Sequence, residues 1–460
     1  MKKLSAALLV AVMLVSMLSC MVFGATAAQL TLGGPVSIEK MPLRGESVGT
    51  GVVVGGRMLT EPNILVVNSD WQKIKGIQSI KLGGIVYNVT MGVNGFAEIA
   101  DALNVADGHE TIYVAAGLYK AEFKQSVGNI KLYGPKAGVN PNDVKDLSKP
   151  NAKRLAAEGL DASKADEAVL TGGMSYDMAG SDLVFDGFYL DEGFSFSTDG
   201  SMGAGRSNYR FGTVVKNCVV NTTAENLFDH AVGNNPNMEI SNLRVLNAKN
   251  LVNISGMMDI RVFNNYLNLT GNTIETRLVC AGSMGSYALI ENNYYEYCGG
   301  NVYKYANEQE TALYTAIVRN NYIADMGPAA FVHNTFFGAH TLPGTNLQIT
   351  KNKVMKIDKG QTVFEFPFVG SNDYIYEFPY MININENYFD LPENTLFIDS
   401  AMDGSLNLVN NYYATPISVD RIKKHLNTKV DLYPYYADEA MTKLVGSFSA
   451  ATPNTEIDHV

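Results

Sequence analysis

The residues best suited to chemistry are three basic side chains, Lys304 and His333 at one point of a repeating pattern and Arg277 one residue beyond it. The runs that carry them are Ile274-Glu275-Thr276-Arg277, Val302-Tyr303-Lys304-Tyr305 and Phe331-Val332-His333-Asn334. Three similar runs are Leu227-Phe228-Asp229-His230, Leu251-Val252-Asn253-Ile254 and Val363-Phe364-Glu365-Phe366. Aligned in this way, the third position reads Asp229, Asn253, Thr276, Lys304, His333 and Glu365, a polar stripe across successive strands. The second and fourth positions are mostly apolar and are expected to face inward, with Glu275, Arg277 and His230 as exceptions.

Strands on neighbouring coils lie about 4.8 Å apart, so Lys304 and His333 are expected within reach of each other and of one sugar ring. In uronate elimination a base removes the proton beside a carboxylate while a cation neutralises the developing charge. Lys304, His333 and Arg277 are thus the candidate catalytic residues. Asp229, Glu365 and Arg210 are candidate substrate contacts, Arg210 belonging to the Gly-rich run Gly203 to Arg210. The competing reading is bland: charged and polar residues are what any solvated sheet face carries. No His, Asp or Glu spacing points to a metal, and no cofactor is expected, although a lyase would leave room for calcium.

The elements that must position these residues are short and repeated. Val262-Phe263-Asn264-Asn265-Tyr266, Ile290-Glu291-Asn292-Asn293-Tyr294, Val318-Arg319-Asn320-Asn321-Tyr322 and Leu408-Val409-Asn410-Asn411-Tyr412 share the order apolar, variable, Asn, Asn, Tyr. Looser copies start at Val184, Val215, Ile240, Ile349 and Ile384. Successive starts differ by 31, 25, 22, 28, 28, 31, 35 and 24 residues, a period too irregular for helical repeats. Apolar residues between the copies alternate or cluster in runs of three to five, which predicts strands. The fold class expected is all-β: a single-stranded right-handed parallel β-helix with an N-terminal capping helix.

In that fold an Asn at each corner is expected to take left-handed backbone angles and to hydrogen-bond the Asn of the next coil. The tyrosines that follow should stack as a column with a packing role. Asn94 is expected to cap a short helix carrying Phe96, Ile99, Leu103 and Ala106. Residues 135–166 read as a polar, mostly helix-favouring insertion.

The expected organisation is a signal peptide at 1–27, a β-rich leading segment at 28–90, the β-helix at 91–430, and a C-terminal cap and linker tail at 431–460. Lys2 and Lys3 precede an apolar stretch ending in Gly24-Ala25-Thr26-Ala27-Ala28, which predicts export with cleavage near Ala27. Met17-Leu18-Ser19-Cys20 offers a competing lipoprotein motif. No later apolar run is long enough to cross a bilayer. Removal of the signal leaves Cys218, Cys280 and Cys298, expected as buried, inert thiols. A net charge of −11 argues against nucleic acid or an anionic membrane surface as partner and suits a strongly anionic polysaccharide poorly.

Phe96-Ala97-Glu98-Ile99-Ala100-Asp101-Ala102-Leu103, Asp107-Gly108, Ile112-Tyr113-Val114-Ala115-Ala116-Gly117-Leu118-Tyr119 and Leu132-Tyr133-Gly134-Pro135-Lys136-Ala137-Gly138 open a longer similarity. Glu167-Ala168-Val169-Leu170-Thr171-Gly172 and Phe185-Asp186-Gly187-Phe188 continue it. Together with the Asn-Asn copies, this stretch from about 91 to 415 resembles bacterial surface β-helix proteins of the pectin-lyase-like superfamily. The resemblance implies the solenoid but leaves activity open, since lyases, hydrolases, esterases and non-catalytic adhesins share it. Neither a calcium-binding Asp cluster followed by a substrate Arg nor a paired-Asp hydrolase motif is found. The function expected is a secreted or cell-surface protein that binds carbohydrate as an adhesin or structural module; the alternative is a polysaccharide lyase acting on a uronate-containing glycan.

Overall fold

A computed structural model describes residues 64–446, with breaks of which the longest are 155–165, 198–210, 279–285, 308–313, 339–345 and 371–379. The expected signal sequence, Cys20, Arg210 and Cys280 lie outside the described residues. Among the described residues, strands assemble into three long sheets of 14, 13 and 11 strands. The chain visits them in turn, as in the coil Ser286–Glu291, Tyr294–Cys298 and Tyr303–Asn307. Each strand pairs in parallel with its counterpart one coil earlier and one coil later. This is an all-β parallel β-helix.

The corner between the first and second sheets shows why the paired Asn recurs. Asn217, Asn242, Asn264, Asn292, Asn320 and Asn410 have φ between 53° and 59°, a conformation that Asn tolerates better than most residues. The same corner holds Gly187, Lys351 and Glu386 at positive φ, so its shape is imposed even where the residue does not favour it. The next residue does different work. Asn265, Asn293, Asn321, Asn352, Asn387 and Asn411 point inward and are almost fully buried. Each amide from Asn265 to Asn387 donates from Nδ2 to the Oδ1 of the next coil's Asn, at 2.9–3.0 Å. The expected corner Asn is therefore two residues, one bending the chain and one bonding the coils. The ladder begins late: Phe188, Cys218 and Leu243 occupy the same buried position in earlier coils.

The registers correct three expectations. Phe185, not Val184, stands opposite Val215, because Phe185 is buried and Val184 faces outward. The helix is shorter than expected and spans Ile99–Val105 with Glu98 as its N-cap. Asn94 instead accepts a hydrogen bond from Thr90 N, while Phe96 lies in a strand beside Val67. Ile99, Ala102 and Leu103 face the apolar interior at the N-terminal end of the coils, as a cap requires. Finally, the described part of 135–166 forms an antiparallel hairpin, Asn142–Asp143 with Asp146–Pro150.

That hairpin is fastened by buried polar contacts. Arg154 meets Glu167 through two hydrogen bonds of 3.0 and 3.2 Å and also donates to the carbonyls of Val139 and Asn217. Asp186 Oδ1 accepts from Gly138 N and Asn217 Nδ2, leaving Lys216 3.9 Å from Oδ2. At the other end, the antiparallel pair Tyr435–Tyr436 and Leu444–Val445 closes the second sheet.

Candidate functional site

The third sheet carries the stripe. Its outward register reads Asp229, Asn253, Glu275, Lys304, His333, Glu365, Asp399 and Lys423, one residue per coil. Asp229, Lys304, His333 and Glu365 thus align as expected. Thr276 does not: the coil that holds it is shifted by one residue, so Glu275 takes the stripe position and Thr276 is buried. The signal missed was Thr273, which occupies the buried corner position of Leu251 and Val302 despite its hydroxyl. Arg277 pairs through its backbone with Ser255 and Ala306, two residues beyond the stripe.

Lys304 and His333 are direct register partners, but each is held by a carboxylate. Lys304 Nζ lies 2.9 Å from Glu275 Oε1, and His333 Nδ1 lies 2.8 Å from Glu365 Oε2. Lys423 Nζ is 2.9 Å from Asp399 Oδ2. Side-chain exposures of 29% for Lys304 and 26% for His333 place the first two pairs at a half-solvated surface, where a pair contributes about 0–1 kcal/mol. Chemically, this part of the stripe holds two ion pairs, Glu275–Lys304 and Asp399–Lys423, with the hydrogen-bonded His333–Glu365 pair between them.

A second asparagine ladder supports it, and the sequence reading passed it over. Asn250 Nδ2 donates to Asn226 Oδ1, while Asn250 Oδ1 accepts from Asn272 N and Asn272 Oδ1 from Asn301 N, along the corner between the second and third sheets. Asn272 Nδ2 also donates to Glu275 Oε2 at 2.8 Å, which orients the carboxylate toward Lys304. The spacings of 24, 22 and 29 residues fall within the 22–35 range of the Asn-Asn-Tyr copies and were the available signal.

The tyrosine column lies on the outer face of the second sheet. Its register is Arg244, Tyr266, Tyr294, Tyr322, Lys353, Tyr388, Tyr412 and Tyr436. Tyr266 and Tyr294 stack at 5.8 Å and Tyr294 and Tyr322 at 5.3 Å, with interplanar angles of 10° and 5°. Arg244 lies 4.0 Å over Tyr266 and is held there by Asn142 and Ser148 of the hairpin. Ring faces taken up in this way serve packing, as expected. The column opens in the middle, however: Tyr266 and Tyr388 are 9% and 8% exposed, Tyr322 36%.

Among the described residues no group of three or more His, Cys, Asp or Glu could hold a metal, and no helix is long and apolar enough to cross a membrane. Cys218 and Cys298 are buried free thiols whose pKa burial pushes up to about 12. Fold and faces define the class: a parallel β-helix with one ionic and one aromatic column on separate outer faces. No family model, curated protein or solved structure matches the chain.

Proposed function

We propose that this is a secreted or cell-surface β-helix protein, akin to the pectin-lyase-like surface solenoids, whose long outer faces bind carbohydrate as an adhesive or structural module. The observation that carries the non-catalytic reading is the engagement of Lys304 by Glu275. Neutralising the charge that develops in elimination needs a cation not already neutralised. A rigid surface with a repeat of about 4.8 Å suits recognition of an extended polymer. The N-terminal sequence supports export.

The lyase reading has one observation in its favour, the direct register contact of Lys304 and His333. The mature protein incubated with a panel of uronate-containing polysaccharides is expected to bind at least one without generating ultraviolet-absorbing unsaturated products. Appearance of such products, abolished by Lys304→Ala or His333→Ala in folded protein, would establish the enzyme instead.

A further inference from the structure

The two ends of the tyrosine column are covered by different parts of the chain. The hairpin reaches Arg244 and lies against the strand Tyr294–Cys298. The C-terminal segment reaches Tyr388, whose hydroxyl donates to Glu439 Oε1 at 3.4 Å. Between these walls stand Tyr322 and Lys353. Tyr322 stacks on Tyr294 by one face; on its other side stands its register partner Lys353, and among the described residues no ring meets it there. Lys353 is half-buried with Nζ 4.7 Å over the Tyr388 ring, and among the described residues no carboxylate pairs with it. It contrasts with Lys304 and Lys423, each of which has one.

We propose that this window is a subsite for a single acidic sugar unit, its carboxylate on Lys353 and its ring against the exposed part of Tyr322. This rests on the carbohydrate-binding reading and places the binding on the second sheet instead of the third. Charge narrows the ligand further. Glu296 accepts from the Tyr294 hydroxyl on the hairpin side, and Glu439 lies on the other, so the cation is flanked by two acids. One carboxylate fits this sequence of charges; a polymer charged at every unit meets repulsion on both sides. The favoured glycan therefore alternates uronate with neutral sugars, in keeping with a chain of net charge −11.

The test is calorimetric titration of the mature full chain with three hexasaccharides: alternating glucuronate and N-acetylglucosamine, galacturonate throughout, and neutral glucose. The alternating ligand is expected to bind at least tenfold more tightly than the other two. Lys353→Met and Tyr322→Ala should each weaken it about tenfold and Tyr322→Phe should not, whereas Lys249→Met, at an exposed ion pair with Glu225, should leave it unchanged, with melting curves confirming folded variants. Tight binding that ignores both Lys353→Met and Tyr322→Ala would overturn the subsite while leaving the carbohydrate reading intact. Equal affinity for the neutral or fully charged ligand would overturn the acidic or the sparse-charge assignment. Binding of none of the three, with none in the polysaccharide panel, would remove the underlying reading as well.

Discussion

At the scale of single residues, the inward Asn shows how one amide holds three coils. Asn321 Nδ2 donates to Ile290 O of the preceding coil and to Asn352 Oδ1 of the next, while its own Oδ1 accepts from Asn293 N and Nδ2. Removal of a buried partner costs about 1–3 kcal/mol for each group left unsatisfied. Asn321→Ala is expected to lose about 3 kcal/mol or more in urea unfolding. Asn265→Ala, at the ladder's end, should lose clearly less, because beyond it lies Leu243, which contributes a backbone N–H and no amide. Equal losses would show that the ladder carries no cooperative bonding.

At the scale of elements, the hairpin anchor contains two buried acids with the same direction of shift and opposite roles. Burial raises the pKa of both Glu167 and Asp186, against the lowering effects of Arg154 and of Asn217 respectively. An acid whose pKa is raised on folding destabilises the folded state when ionised. That cost is relieved as pH falls through the raised value and disappears below the unfolded value of about 3.9 for Asp. Asp186→Asn keeps both acceptor bonds on Oδ1 and removes the charge, so its melting temperature should equal or exceed the parent's at pH 7, the difference shrinking toward pH 4. Glu167→Ala, by contrast, should cost about 3–5 kcal/mol, since it leaves the buried Arg154 guanidinium without either carboxylate oxygen. A destabilised Asp186→Asn at neutral pH would show that Lys216, 3.9 Å away, outweighs the desolvation.

At the scale of the whole molecule, one continuous apolar core runs from Leu65 to Leu432, and within the three long sheets each strand pairs only with those of adjacent coils. Cys218 and Cys298 belong to that core, several coils apart. Their thiols, pushed up to about 12, are expected to resist a disulfide reagent at pH 8 until the solenoid unfolds. Labelling of both in step with loss of circular dichroism would mark one cooperative unit. Earlier labelling of Cys218 alone would show that the N-terminal coils, which lack the asparagine ladder, open first.

Much of this architecture was legible in the sequence because a solenoid repeats its local rules. The Asn-Asn-Tyr copies set the coil register, and most of the polar stripe followed from counting along it. Counting failed where physics local to one coil intervened. Thr273 fills an apolar corner position, Phe185 shifts a copy by one residue, and hairpin strands replace an apparent helix where Arg154 and Glu167 can pair only after the chain has folded back. The candidate site moved for the same reason. Residue type and spacing identified Lys304 and His333 as chemically capable, and they do sit together. Whether a cation is free or already neutralised depends on the side chain one coil away, some 30 residues distant in sequence, as Glu275 and Glu365 are. Tertiary structure alone engaged those two side chains and left Lys353 over the Tyr388 ring, paired with no carboxylate among the described residues.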